Sequence, residues 1–153
     1  MEGLRLATSA GLTALMLALT TVMHYEGLKV LAPAGRGGLS HPGPVFAITA
    51  LVALHLAEIG LYAIAYAVGI HWLDLGILRG ATPATGLDYF YFAAETYSTL
   101  GYGDVVPSGA LRLLASVEPL NGLLLLAWSG SFLFRLVQER AAALDSSSAA
   151  PER

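Results

Sequence analysis

Thr99-Leu100-Gly101-Tyr102-Gly103-Asp104 is the stretch on which the reading of this chain turns. Successive peptide units of an ordinary strand point their carbonyls to alternate sides. A row of carbonyls facing one way needs backbone that alternates between right- and left-handed conformations. Glycine visits positive φ at little cost, and Gly101 and Gly103 stand at the alternate positions that such a row requires. Thr99 adds a hydroxyl oxygen at one end, while Tyr102 points away and can wedge the loop against the preceding helix. Rings of carbonyls replace the hydration shell of a desolvated cation. One chain supplies one oxygen per ring, so closed rings call for four subunits about one axis.

The residues on either side suit that loop to a membrane. Thr85-Gly86-Leu87-Asp88 has capping-box-like spacing, and the aromatic run that follows predicts a half-helix starting near Leu87 or Asp88. Such a helix, of about three turns, would dip into the bilayer and hand over to the glycine-bearing loop. Asp74, Arg79 and the turn signals Pro83 and Pro107 keep residues 71–107 from reading as a full span. Irregular backbone at membrane depth is tolerated only where protein buries it or where it lines an aqueous path.

Further out lie three apolar runs, residues 6–23 (continuing through His24-Tyr25-Glu26), 44–70 and 111–137. The first is long for the core of a signal peptide and lacks a small-residue cleavage site, so a retained helix is expected. Residues 33–38 are expected to form a polar turn, and after Arg140 an Ala/Ser-rich tail is expected to be disordered. Composition agrees: 56% of the 153 residues are apolar, 12% are charged, and the mean hydropathy is +0.64. So few charges cannot cover a water-soluble globule. A net charge of −3 gives no reason to expect nucleic acid, and without cysteine there are no disulfides or thiolate metal sites. No segment reads as a separate soluble domain, no nucleophile–base pair or metal-ligand spacing stands out, and no enzymatic activity is expected. No cofactor is expected either.

Residues 98–104 resemble the potassium-channel signature, with leucine at 100 where valine or isoleucine is commoner. With Glu95-Thr96-Tyr97 in front, the stretch is similar to simple proton-gated bacterial potassium channels that have a single pore loop per chain. The resemblance covers roughly residues 44–140. It implies an all-α membrane protein of three transmembrane helices plus a re-entrant pore helix and filter loop, assembled as a fourfold-symmetric homotetramer. Residues 1–31 would be an extra N-terminal transmembrane helix, 44–140 the pore domain and 141–153 a cytoplasmic tail. K+ would be the permeant ion, held by the Thr99, Leu100, Gly101 and Tyr102 carbonyls and the Thr99 hydroxyl. Three identical subunits and membrane lipid would be the partners, in the cell membrane. If the loop enters from outside, Lys29, Arg36, Arg135, Arg140 and Arg153 lie inside and Arg5, Arg79 and Arg112 outside. That distribution follows the positive-inside tendency and puts the N-terminus outside and the C-terminus in the cytoplasm.

Glu95 and Asp104 match the family's hydrogen-bonded acid pair behind the filter. Tyr91, one turn before Glu95, stands where the family often has a tryptophan donor to the aspartate. These three are expected to brace the filter; a solvated mouth aspartate and an unrelated glutamate are the plainer reading. In the third run, Glu118-Pro119-Leu120-Asn121-Gly122 predicts a bend. Gly122 lies ten residues after Arg112, the family's hinge spacing. The same register turns Leu126, Gly130 and Phe134 toward the pore, so Phe134 is either a hydrophobic constriction or packs on a neighbouring helix or lipid.

Glu118 departs from the family pattern. A charge at the bilayer centre costs about 2.5–3.5 kcal/mol, so Glu118 should be neutral, paired or facing water, with Tyr62 at similar depth. His55, Glu58, Tyr62 and Tyr66 follow 3-4-4 spacing and form one polar stripe. That stripe either hydrogen-bonds to Glu118 or the first helix, or senses protons, with His24 as a further member. His41 and His71 read as loop or interface residues.

Three other functional classes are weighed. A transporter built from channel-like loops would keep fewer filter glycines and usually joins four loops in one chain. The intact run of residues 99–104 argues against a non-conducting membrane sensor subunit, and a nonselective cation channel is the alternative if Na+ passes equally. No arginine repeat at three-residue spacing supports voltage sensing.

Overall fold

The structure, a computed structural model, describes residues 1–32, 43–80 and 85–148. The turn expected at 33–38, His41, Pro83 and residues 149–153 lie outside the described residues. Four helices follow one another: α1 (Glu2–Leu31), α2 (Pro44–His71), α3 (Gly86–Tyr97) and α4 (Leu111–Ser148). Three of them, α1, α2 and α4 as far as Ala142, are long and apolar enough to cross a membrane. The third runs beyond Arg140, because Ala141 to Ala143 extend it with residues of the highest helix propensity.

Helix α1 packs against both α2 and α4, and α3 packs against the same two helices. The residues that α1 buries are Ser9, Thr13, Met16, Thr20, His24, Leu28 and Leu31, all at three- or four-residue spacing. Small and hydroxylated side chains let helices approach closely where lipid offers no hydrophobic drive. Gly27 shows the same logic, since a Cβ there would come within 2.6 Å of the Leu54 side chain on α2. Thr13 and Thr20 satisfy their hydroxyls on the carbonyls one turn back, at 2.8 Å each.

The connection from α2 to α3 is clasped to the one from α3 to α4. Leu78 and Arg79 (β1) pair antiparallel with Pro107 and Val106 (β2). The Ala110 N–H donates to the Leu75 carbonyl at 2.7 Å, and the Ser108 hydroxyl donates to the Ile77 carbonyl at 3.0 Å. Gly80, at φ +100°, allows this approach: a Cβ would lie 1.9 Å from the Asp104 carbonyl oxygen. Arg5 forms an ion pair with Asp74, and the Ser9 hydroxyl donates to Ala110 O at 2.7 Å. The N-terminal end of α1 therefore sits on the same side of the bundle as this ribbon.

Candidate functional site

Helix α3 begins as its spacing predicts. The Asp88 carboxylate accepts from the Thr85 N–H and the Thr85 hydroxyl, both at 2.7 Å, and these bonds hold its pKa below the usual carboxylate range. The other end of α3 hangs the glycine-bearing loop from its free carbonyls. Thr99 N–H donates to Thr96 O at 3.0 Å, and Leu100 and Gly101 both donate to Glu95 O, at 2.8 and 3.2 Å.

Along this loop the backbone alternates in hand. Thr99 (φ +62°), Gly101 (φ +53°) and Gly103 (φ +80°) are left-handed, and Leu100 and Tyr102 between them are not. The glycines occupy this region freely; Thr99, a β-branched residue, is strained in it. Such alternation turns successive carbonyls to one side, which is the geometry a ring of ion-binding oxygens needs. Residues 98–104 are all exposed on the single chain.

Three side chains hold the loop from behind. Glu95 is buried and its Oε2 accepts the Tyr102 N–H at 3.0 Å; the Tyr91 hydroxyl donates to Asp104 Oδ2 at 2.9 Å. The Tyr91 and Tyr102 rings stack in parallel, with centroids 6.4 Å apart. The acid pair expected from the resemblance takes another form: each carboxyl has its own donor, and no hydrogen bond joins the two among the described residues. Burial raises the pKa of Glu95, the Tyr102 N–H opposes that shift, and the Asp104 charge adds to it. The hydrogen bond to Asp104 pushes the Tyr91 phenol up to about 12.

On α4, Gly122 is pressed against the end of α3: a Cβ would lie 2.2 Å from the Tyr97 carbonyl oxygen. Close packing thus demands glycine at the position that the spacing reads as a hinge. Pro119 lies within α4, which continues through it as one helix. Leu126, Gly130 and Phe134 share the exposed face of α4, with Phe134 66% exposed on the single chain.

The polar stripe of α2 is fully engaged. Tyr66 donates to Glu118 Oε2 at 2.5 Å, leaving Glu118 Oε1 without a partner among the described residues. Asn121, one turn on, donates to Tyr62 at 3.0 Å and to Thr20 of α1 at 2.6 Å. Deeper along the same seam, Glu58 accepts from Tyr97 at 2.5 Å and contacts His24 at 2.8 Å and His55 at 3.0 Å. The Ser129 hydroxyl lies 3.0 Å from His55 Nε2 and 3.3 Å from His24 Nε2. The sequence reading holds the α2 stripe, His24 and Glu118, but misses Thr20, Tyr97, Asn121 and Ser129. For Thr20 a signal exists in its four-residue step to His24, and for Asn121 in its three-residue step from Glu118; Tyr97 and Ser129 show none.

Two apolar helices flanking a short helix and a loop of alternating hand, with a third apolar helix alongside, define a membrane protein built around a pore unit. The family described as "Ion channel" matches residues 49–139, and the chain belongs to it. The inward rectifier potassium channel Kirbac3.1 of Paramagnetospirillum magnetotacticum is 36% identical over 107 residues, covering 68% of this chain. The matched part is 34% of that relative, so the chain spans about a third of its length. The resemblance to potassium-channel pores read from residues 98–104 therefore holds.

Proposed function

We propose that four copies of this chain form a potassium-selective channel that conducts K+ passively. The alternation of hand at Thr99, Gly101 and Gly103 carries the reading, because it gives each chain a column of inward-facing oxygens. In this arrangement α3 is re-entrant, and the carbonyls of residues 99–102 with the Thr99 hydroxyl bind the permeant ion. A tetramer accounts for the exposure of Leu100 and Tyr102 on one chain, and for the apolar residues Leu120, Leu124 and Phe134 left uncovered on α4. Similarity to a potassium channel supports the same choice of ion. In the cell membrane, the N-terminus and the Arg5–Asp74 pair lie outside with the filter mouth, and α4 ends in the cytoplasm.

Purified protein in liposomes tests this directly. The expected result is K+ flux well above that of empty vesicles, with Na+ flux near their level. Equal Na+ flux would make the chain a nonselective cation channel, and no flux of either ion would make it a non-conducting subunit.

Tyr91, Glu95 and Asp104 brace the filter in this reading. Tyr91→Phe removes the hydroxyl on Asp104 while leaving a ring to stack on Tyr102. Single-channel recordings should show open times shortened several-fold at unchanged K+ selectivity; unchanged open times would make the contact incidental.

A further inference from the structure

Four helices meet at one point that the ion path does not use. His24 comes from α1, His55 and Glu58 from α2, Tyr97 from the last turn of α3 and Ser129 from α4. His24 and Glu58 are fully buried, and the His55 side chain is 12% exposed. One ligand atom from each of His24, His55 and Glu58 lies within 4.8 Å of the other two.

The hydrogens of this cluster do not add up. Both Nδ1 atoms and the Tyr97 hydroxyl converge on the Glu58 carboxylate, which has no hydrogen to give, and both Nε2 atoms face the one Ser129 hydroxyl. A neutral imidazole carries one hydrogen, and a serine hydroxyl can donate one and accept two. With both histidines neutral and Glu58 ionised, every choice of tautomers leaves at least one contact with no hydrogen in it. One added cation removes the deficit.

The hydroxyl of Ser129 is compatible with a metal ion as that cation. If both Nε2–H groups donate to Ser129, its two lone pairs are used and both Nδ1 lone pairs are freed toward Glu58. Two imidazole nitrogens and the Glu58 carboxylate are then free to act as ligands, with the Tyr97 oxygen 2.9 Å from His55 Nδ1 and 2.5 Å from Glu58 Oε2. A hydroxyl, carbonyl or carboxylate on the far nitrogen is what fixes the tautomer of a metal-ligating histidine. Ligand atoms of a four-coordinate zinc ion lie about 3.3 Å from one another, so the contacts of 2.5–3.0 Å in the cluster would open on binding, most of all the one between Tyr97 and Glu58.

The geometry points to a binding site for one divalent transition-metal ion of the zinc class, with His24, His55 and Glu58 as ligands, Tyr97 as the fourth oxygen and Ser129 orienting both imidazoles. Two nitrogen ligands of borderline softness select against Mg2+ and Ca2+, which take all-oxygen shells. Binding needs the carboxylate ionised and both imidazoles neutral. It would tie α1 to Tyr97, two residues before Thr99. The sequence spacing hides such a site because its ligands come from three separate helices.

The test uses the purified full chain in detergent, stripped with chelator and equilibrated with Zn2+ alone or Co2+ alone. Wild type should retain one Zn2+ per chain by elemental analysis and show the visible bands of four-coordinate Co2+. His55→Gln should weaken retention on the order of 100-fold, and Ser129→Ala, which keeps every ligand, about 10–100-fold. His71→Gln, outside the cluster, should bind as wild type does. No stoichiometric Zn2+ on the wild type would overturn the proposal and leave the cluster holding a proton only. Equal retention by wild type, His55→Gln and Ser129→Ala would overturn it as well.

Discussion

Gly103→Ala should reduce K+ flux in liposomes to the level of empty vesicles. Gly103 lies at φ +80°, where an alanine Cβ crowds the neighbouring backbone at a cost of about 1–2 kcal/mol per residue. Under the proposed assembly that cost falls four times in one ring system. The strain is relieved by turning the peptide out of the left-handed region, which takes its carbonyl away from the axis. Nothing within 4 Å blocks a Cβ at this position on the single chain, so the loss would come from backbone conformation and not from a clash. Gly101→Ala, at φ +53°, should behave the same way. Leu100→Val is the control: it changes a residue of ordinary hand, and flux should persist. Gel filtration must show each variant assembled as wild type, since an unassembled chain would lose flux for another reason. If assembled Gly103→Ala conducted K+ at the wild-type rate, the carbonyls of this loop would not be the ion path.

The loop was legible because glycine marks positive φ in a sequence. Thr99 shares that hand and carried no such mark, since nothing in a β-branched residue announces a left-handed conformation. The α2 stripe was legible for a similar reason: 3-4-4 spacing puts His55, Glu58, Tyr62 and Tyr66 on one face whatever surrounds them. Their partners depend on which residues of other helices lie at equal depth, and one helix's periodicity holds no such information. Equal rise per residue puts Tyr62 near Glu118, yet the structure pairs Glu118 with Tyr66 and Tyr62 with Asn121, a shift of about one turn. The β1–β2 ribbon was out of reach as well. Two residues per strand leave no alternation to read, and Gly80 and Ser108, which hold the ribbon together, look like ordinary loop residues.

Glu58→Leu should destabilise the folded protein more than any other single change on the lipid-embedded helices. Glu58 is fully buried and is the common acceptor for His24, His55 and Tyr97, which belong to three different helices. Leucine fills much the same volume, so little is lost in packing. What is lost is the acceptor: His24 Nδ1 would face a methyl group, and Tyr97 and His55 Nδ1 would be left with only each other. Breaking one side of a buried polar network in this way costs about 3–5 kcal/mol. Replacing Glu58, His24 and His55 by apolar residues together with Tyr97→Phe should recover most of that, because neither an orphaned imidazole nor an orphaned phenol then remains. Thermal unfolding in detergent with excess chelator gives the comparison, and chelator removes any contribution from bound metal. The expected order is wild type near the quadruple variant, with Glu58→Leu well below both. Should Glu58→Leu unfold at the wild-type temperature, the contacts to α1 and Tyr97 would not stabilise the fold, and α1 would be held chiefly by the apolar and hydroxyl contacts along the rest of its buried face.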